Sequence, residues 1–218
     1  MPSLQCDLSC SFCMYNASSD QTDILDIKKT AAFIEKWDWD LINQVGFYGG
    51  EPSINLPLYQ NFMDLIPKSV SKFIITNGTW STNYVKMMKF LNFFCKNSLY
   101  VIISGTDEHK PYQNLDVLKI IKHQFPEQVR LKEGDVIHPM GRAKHIKSVC
   151  GSYCQEDVRN LRLAIHPSGN ILFQNCHGDY PIVQTIDDPF DGIHIRAREA
   201  ALQCSIQKRR SYETLLSF

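Results

Sequence analysis

The sequence lacks an excess of either charge: 23 Lys and Arg stand against 23 Asp and Glu. A balanced chain has no global field to draw in nucleic acid or an anionic membrane surface, so neither is an expected partner. It also lacks an 18-residue apolar run, the usual signal of a membrane-spanning helix. No basic-then-apolar leader opens it, so a soluble, cytoplasmic protein is the expectation. No internal repeat or low-complexity tract appears, which argues against solenoid and fibrous architectures. What remains is 218 residues, 44% of them hydrophobic. That is enough for one sizeable α/β domain with room for a small appendage.

One residue is plentiful. Eight Cys is many for an unsecreted chain of this length. They gather at the start and across the last third, with Cys95 alone between. Such clustering favours metal binding over disulfides. The first group is Cys6-Asp7-Leu8-Ser9-Cys10-Ser11-Phe12-Cys13, spaced C-x3-C-x2-C. A loop this short can wrap three sulfurs around one compact centre. Cys thiolates hold the irons of iron–sulfur clusters. A four-iron cluster takes four ligands, so three thiols leave one iron open to something other than protein. The alternative is a zinc site short of one ligand, although zinc loops more often bring Cys in C-x2-C pairs.

Further on, Gln44-Val45-Gly46-Phe47-Tyr48 reads as a short strand that runs into Gly49-Gly50-Glu51-Pro52. Glycines without Cβ let backbone come close to a ligand. The Cys spacing, Phe12 before the last Cys, and Gly-Gly-Glu after a strand together resemble the radical S-adenosylmethionine (radical SAM) superfamily. The resemblance implies that Cys6, Cys10 and Cys13 hold a [4Fe–4S] cluster. Its open iron would be chelated by the amino and carboxylate groups of SAM. One electron would break a carbon–sulfur bond of SAM, and the 5′-deoxyadenosyl radical would take a hydrogen atom from the substrate. An external electron donor such as flavodoxin or ferredoxin is implied with it.

The same resemblance assigns cofactor-binding residues. Phe12 lies in the cluster loop. Glu51 and the backbone of Gly49 and Gly50 would hold the SAM ammonium by charge-assisted contacts. Thr76 and Asn77 would touch SAM, with plain turn chemistry as the alternative. Ser104 would bond the ribose. Arg142, in the loop Pro139-Met140-Gly141-Arg142-Ala143, would bond SAM or a substrate carboxylate; a surface Arg is the alternative.

Periodicity supplies the frame. Ile24, Ile27, Ala31, Ile34 and Trp37 predict a helix from Thr22 or Asp23, capped by Asp20 or Thr22. A helix is expected over Leu58–Ile66, a strand over Phe73–Thr76, and a helix over Thr82–Lys96. That last helix should bury Tyr84, Met88, Leu91 and Cys95. A strand over Leu99–Ile103 follows, then Asp107, Glu108 and His109, read as a solvated loop, with the substrate side as the alternative. Leu115, Leu118, Ile121 and Phe125 predict another helix, and Val129 opens another strand. This alternation argues for a parallel α/β architecture with its chemistry at the C-terminal ends of the strands. Eight units do not fit. The resemblance implies a partial, TIM-like open barrel of five or six βα units over residues 1–145.

Residues 146–218 break the rhythm. Leu161–Ile165 and Asn170–Phe173 flank His166-Pro167-Ser168-Gly169 and read as a β-hairpin. Cys150 and Cys154 precede it, Cys176 follows it, and Cys204 falls in an expected final helix. This resembles the twitch or SPASM extension of peptide-modifying radical SAM enzymes. The resemblance implies an auxiliary iron–sulfur cluster on Cys150, Cys154, Cys176 and Cys204. The spacing departs from that pattern, since Cys176 stands further from Gly169 than the pattern expects. A structural zinc site with His177, or free thiols, are the alternatives. The extension leans toward a peptide or protein substrate, with a small molecule or nucleotide second. A non-catalytic metal or electron carrier is a third reading, against which Gly49-Gly50-Glu51 argues. No catalytic acid, base or radical relay stands out; Tyr15, Tyr48 and Cys95 read as packing residues.

Overall fold

The structure, a computed structural model, describes residues 1–132, 141–145, 161–174 and 181–203. Its frame is a run of alternating helices and strands: α1 (Ile27–Ile34), β1 (Gln44–Phe47), α2 (Leu56–Met63), β2 (Ser71–Thr76), α3 (Tyr84–Lys96), β3 (Tyr100–Ser104), α4 (Leu115–Gln124) and β4 (Val129–Lys132). The four strands form one sheet in chain order, every pair parallel. Parallel neighbours need long crossovers, and α2, α3 and α4 supply them. The register sets Gly46 beside Phe73, Ile74 beside Val101 and Ile103 beside Leu131. The result is an open, partial β/α arrangement of the α/β class. Four strands are described, where five or six units were expected.

Alternation along the strands divides the sheet into two faces. Phe47, Ile74, Val101, Ile103 and Val129 are buried and share one core with Phe62, Phe90, Phe93, Phe94, Leu118 and Ile121 of the helices. The opposite face carries Phe73, Ile75 and Ile102, only half-buried, and Tyr100, exposed.

Three helices differ from expectation. α1 begins at Ile27, and its cap is Asp26, not Asp20 or Thr22. The Asp26 carboxylate accepts from Lys28 N at 2.9 Å and Lys29 N at 3.0 Å. Ile24 lies before the helix and is exposed. α3 buries Phe90, Phe93 and Phe94, while Tyr84 is 73% exposed and Cys95 is exposed too. Three Phe rings remove more apolar area from water than the Tyr, Met, Leu and Cys stripe could, so they set the helix's rotation. α2 starts earlier than expected because Asn55 caps it, accepting from Leu58 N at 3.2 Å, with Pro57 in its first turn.

No strand precedes Cys6. Instead Ser3–Gln5 runs beside the end of β1, with Gly50 N donating to Ser3 O (2.9 Å) and Glu51 N to Gln5 O (2.8 Å). The hairpin expected in the last third is present as β5 (Leu163–Ile165) and β6 (Asn170–Phe173). A third strand, β7 (Ile182–Thr185), was not foreseen and pairs antiparallel with β6. A helix, α5, covers residues 193–203. Ile171, Phe173, Val183, Ile193 and Ala201 join the same core as the parallel sheet. Phe190 packs edge-on to Phe33 of α1 at 5.3 Å, and Lys29 pairs with Asp187 at 2.8 Å. Cys150, Cys154, Cys176, His177 and Cys204 lie outside the described residues, as does the stretch that would open the expected second domain. No described helix is long and apolar enough to cross a membrane.

Candidate cofactor site

The Cys loop closes on itself and is held from outside. Cys6 N donates to Ser18 O (3.0 Å), Cys13 N to Cys10 O (3.2 Å), and Ala17 N to the Cys13 sulfur (3.3 Å). Arg142 clamps it from the far side of the chain. Its Nε donates to Cys10 O at 2.8 Å, its Nη2 to Ala17 O at 2.7 Å, and its backbone N to Cys13 O at 2.9 Å. Gly141 makes that approach possible. It sits at φ +57°, and a Cβ there would lie 2.5 Å from Met14 O. The bonds observed for Arg142 go to the loop's own carbonyls.

The ends of β1 and β2 meet at Glu51, which is only 3% exposed. Its carboxylate accepts from Ser53 N (3.0 Å), Thr76 Oγ1 (2.7 Å) and Asn77 N (2.7 Å). Burial raises its pKa, and these donors oppose the rise. Thr76 Oγ1 also accepts from Trp80 Nε1 and Gly78 N. Asn77 Nδ2 donates to Asp7 Oδ1 at 2.8 Å and stands 3.8 Å from the Cys6 sulfur. Thr79 Oγ1 reaches the other Asp7 oxygen at 2.6 Å. The β2 end loop thus holds the first half of the Cys loop. Gly49 and Gly50 fit closely, but against the chain's own start: a Cβ on Gly50 would lie 1.9 Å from Gln5 O, and Gly49 has φ +131°.

The β3 end loop holds the second half. Ser11 N donates to Glu108 Oε2 at 3.0 Å, and the Ser11 hydroxyl bonds the other Glu108 oxygen. His109 Nε2 stands 3.4 Å from the Cys10 sulfur, and the His109 ring meets Phe12 edge-on at 5.6 Å. Gln113 Nε2 bridges Asn77 O and Ser104 O, both at 2.6 Å, tying the ends of β2 and β3 together. Sequence reasoning missed Asp7 and Gln113 and read Glu108 and His109 as solvated. For Glu108 and His109 the available signal was their place in the loop after β3, where a parallel sheet gathers its chemistry.

Cys6, Cys10 and Cys13 are half-buried and free of disulfides. Burial pushes the Cys6 thiol up to about 12 and the Cys10 thiol up to about 11. Desolvation thus disfavours bare thiolates here, and a cationic metal centre is what would offset it. A multi-iron cluster takes one thiolate on each iron. The sulfurs need not meet at one point, and among the described residues no three His, Cys, Asp or Glu groups do. By donor type, loop length and burial, the residues present fit such a cluster.

A family model settles the kinship: that of the radical SAM superfamily matches residues 2–132. The chain belongs to the radical SAM superfamily. The matched stretch holds the Cys loop, Gly49–Glu51 and the four described parallel strands of this radical SAM protein. A solved structure described as native anSMEcpe with bound AdoMet is similar to it at 14% identity. That likeness has a TM-score of 0.48 and covers 91% of this chain and 80% of the other. No curated protein matches. Membership carries the general radical SAM reaction, with its [4Fe–4S] cluster and SAM, and so an enzyme.

Proposed function

We propose that this radical SAM enzyme modifies a peptide or protein substrate, with an electron donor of the flavodoxin or ferredoxin type, in the cytoplasm. The observation that supports the substrate class is the β5–β6–β7 sheet with α5, built onto the core of the parallel sheet. It follows a barrel-type fold with an extension that, in sequence, carries Cys150, Cys154, Cys176 and Cys204. An auxiliary iron–sulfur cluster on those four residues is part of the proposal.

Cys6, Cys10 and Cys13 would hold the SAM-binding cluster, which when bound supplies the electron for reductive cleavage of SAM. The chain's own work is placement. His109 stands beside the Cys10 sulfur and packs on Phe12. Glu51 holds the Thr76 and Asn77 ends at fixed positions, and its buried negative charge suits a nearby ammonium. Gly49 and Gly50 admit the Ser3–Gln5 backbone, which brings the Cys loop against those strand ends. Ser104 closes β3 on the same rim and stays the candidate for a ribose contact. Arg142 fixes the loop's carbonyls.

The test is anaerobic purification, cluster rebuilding, iron analysis, and assay of 5′-deoxyadenosine under a strong reductant with candidate peptides and small molecules. About eight irons per chain, with cleavage stimulated by a peptide, is the expected result for two four-iron clusters. About four irons with stimulation by small molecules alone would replace the peptide reading. Full iron without cleavage of SAM under any condition would sink the enzyme assignment.

A further inference from the structure

We propose that His109 is a positioning residue that sets the reduction potential of the SAM-binding cluster, by donating its Nε2–H to the Cys10 sulfur. The proposal rests on the reading that Cys6, Cys10 and Cys13 hold that cluster. His109 lies outside every motif by which the sequence was read, yet it is only 7% exposed. Its position is fixed from three sides. Its backbone N donates to Thr106 O at 2.9 Å, which closes the turn after β3. Its Nδ1 stands 2.9 Å from Thr106 Oγ1. Its ring meets Phe12 at an interplanar angle of 87°.

The two ring nitrogens therefore have separate tasks. When the Thr106 hydroxyl donates to Nδ1, the ring proton sits on Nε2, and the atom facing Nε2 is the Cys10 sulfur at 3.4 Å. Glu108, one residue earlier, grips Ser11 through its backbone N and hydroxyl. The turn and the Cys loop thus cannot drift apart without breaking both contacts. Hydrogen bonds to ligating sulfurs are one of the levers that set an iron–sulfur potential. A donor here favours the reduced cluster, which carries one more negative charge, and so raises the potential. The donor lies in the chain itself and is in place before SAM or substrate arrives.

The experiment is a redox titration of the full chain with rebuilt clusters, following the EPR signal that changes when SAM is added. That response separates this cluster from any auxiliary one. His109→Phe keeps a ring against Phe12 and removes both nitrogens. Its midpoint should fall by about 59 mV, a tenfold smaller reduced fraction at fixed poise for a one-electron couple. His109→Gln keeps an N–H near the Nε2 position and should recover most of the shift. Pulsed EPR should find a weak nitrogen coupling on the reduced wild-type cluster that His109→Phe lacks.

An unchanged midpoint in iron-loaded His109→Phe, or equal shifts in both variants, would overturn the proposal and leave the cluster assignment standing. Where His109→Phe fails to load iron, the nitrogen coupling in the wild type decides, and its absence overturns the proposal. A wild type with no SAM-responsive signal would overturn proposal and cluster assignment together, a different pattern from either.

Discussion

Glu51 shows how one buried carboxylate can organise the ends of two strands. Its three donors, Ser53 N, Thr76 Oγ1 and Asn77 N, are held in a place with little access to water. Removing the acceptor leaves them unpaired, and one buried unsatisfied group costs about 1–3 kcal/mol. Glu51→Ala should therefore destabilise the metal-free protein by about 3 kcal/mol in urea unfolding, after relief of the buried charge is set against the loss. Glu51→Gln should fall between, because its amide turns an N–H toward Asn77 N–H. A metal-free Glu51→Ala as stable as wild type would mean that the carboxylate contributes nothing to the fold.

Arg142 carries a second prediction at this scale. Two guanidinium nitrogens reach two carbonyls, Cys10 O and Ala17 O, that one ammonium cannot span in the same way. Arg142→Lys should keep the charge and lose one of the two bonds, for about 2 kcal/mol of stability. Iron content after cluster rebuilding should drop with it although all three Cys remain. Full iron retention in Arg142→Lys would show that charge alone is enough.

At the scale of elements, the sequence was readable where a local rule acts and misleading where a choice between faces is made by the rest of the molecule. The motif loops and strands were legible because the Cys spacing and the short apolar runs need no partner to be seen. α3 was not. Its sequence offers two apolar stripes, Tyr84-Met88-Leu91-Cys95 and one through Phe90 and Phe94, and only the opposing sheet decides between them. The turn after β3 was not legible either. Asp-Glu-His looks like a solvated run until the Cys loop is laid against it, and the bonds concerned join residues about a hundred positions apart. For the cap of α1, Asp20 and Thr22 both satisfied the rule, but Asp26 takes the place, directly after Leu25, which is buried in the core.

That cap predicts a pH effect. The backbone N–H of Lys29, then that of Lys28, holds the Asp26 carboxyl below the ordinary carboxylate range. A carboxylate depressed in the folded state stabilises above its unfolded pKa, near 4, and the contribution is lost as pH falls through the folded value. Asp26→Ala should therefore lower the melting temperature at pH 7 and match wild type once the acid is protonated, at about pH 3. A gap between the two proteins that persists unchanged into acid would rule out the charged cap as its source.

At the scale of the molecule, the question is whether the two sheets fold as one body. Ile171, Phe173 and Val183 from the antiparallel sheet belong to the same apolar core as Ile74, Val101 and Phe90. Small domains with a continuous core unfold in a single cooperative step. The three Trp, at 37, 39 and 80, all lie in the parallel part of the chain, so their fluorescence reports that part alone. Phe173 is almost fully buried in β6, and Phe→Ala in a core costs about 3–5 kcal/mol. If the core is shared energetically, Phe173→Ala should shift the Trp unfolding midpoint as far as it shifts the far-ultraviolet circular dichroism, although no Trp lies in the mutated sheet. If the antiparallel sheet stands alone, the Trp transition should stay at its wild-type midpoint and the dichroism should split into two steps. The first outcome would mean that whatever the extension binds is felt at the strand ends carrying Glu51, Asn77 and His109, because both are held by one cooperative unit. The second would make the extension a separable attachment and place its influence on the reaction in direct contact alone.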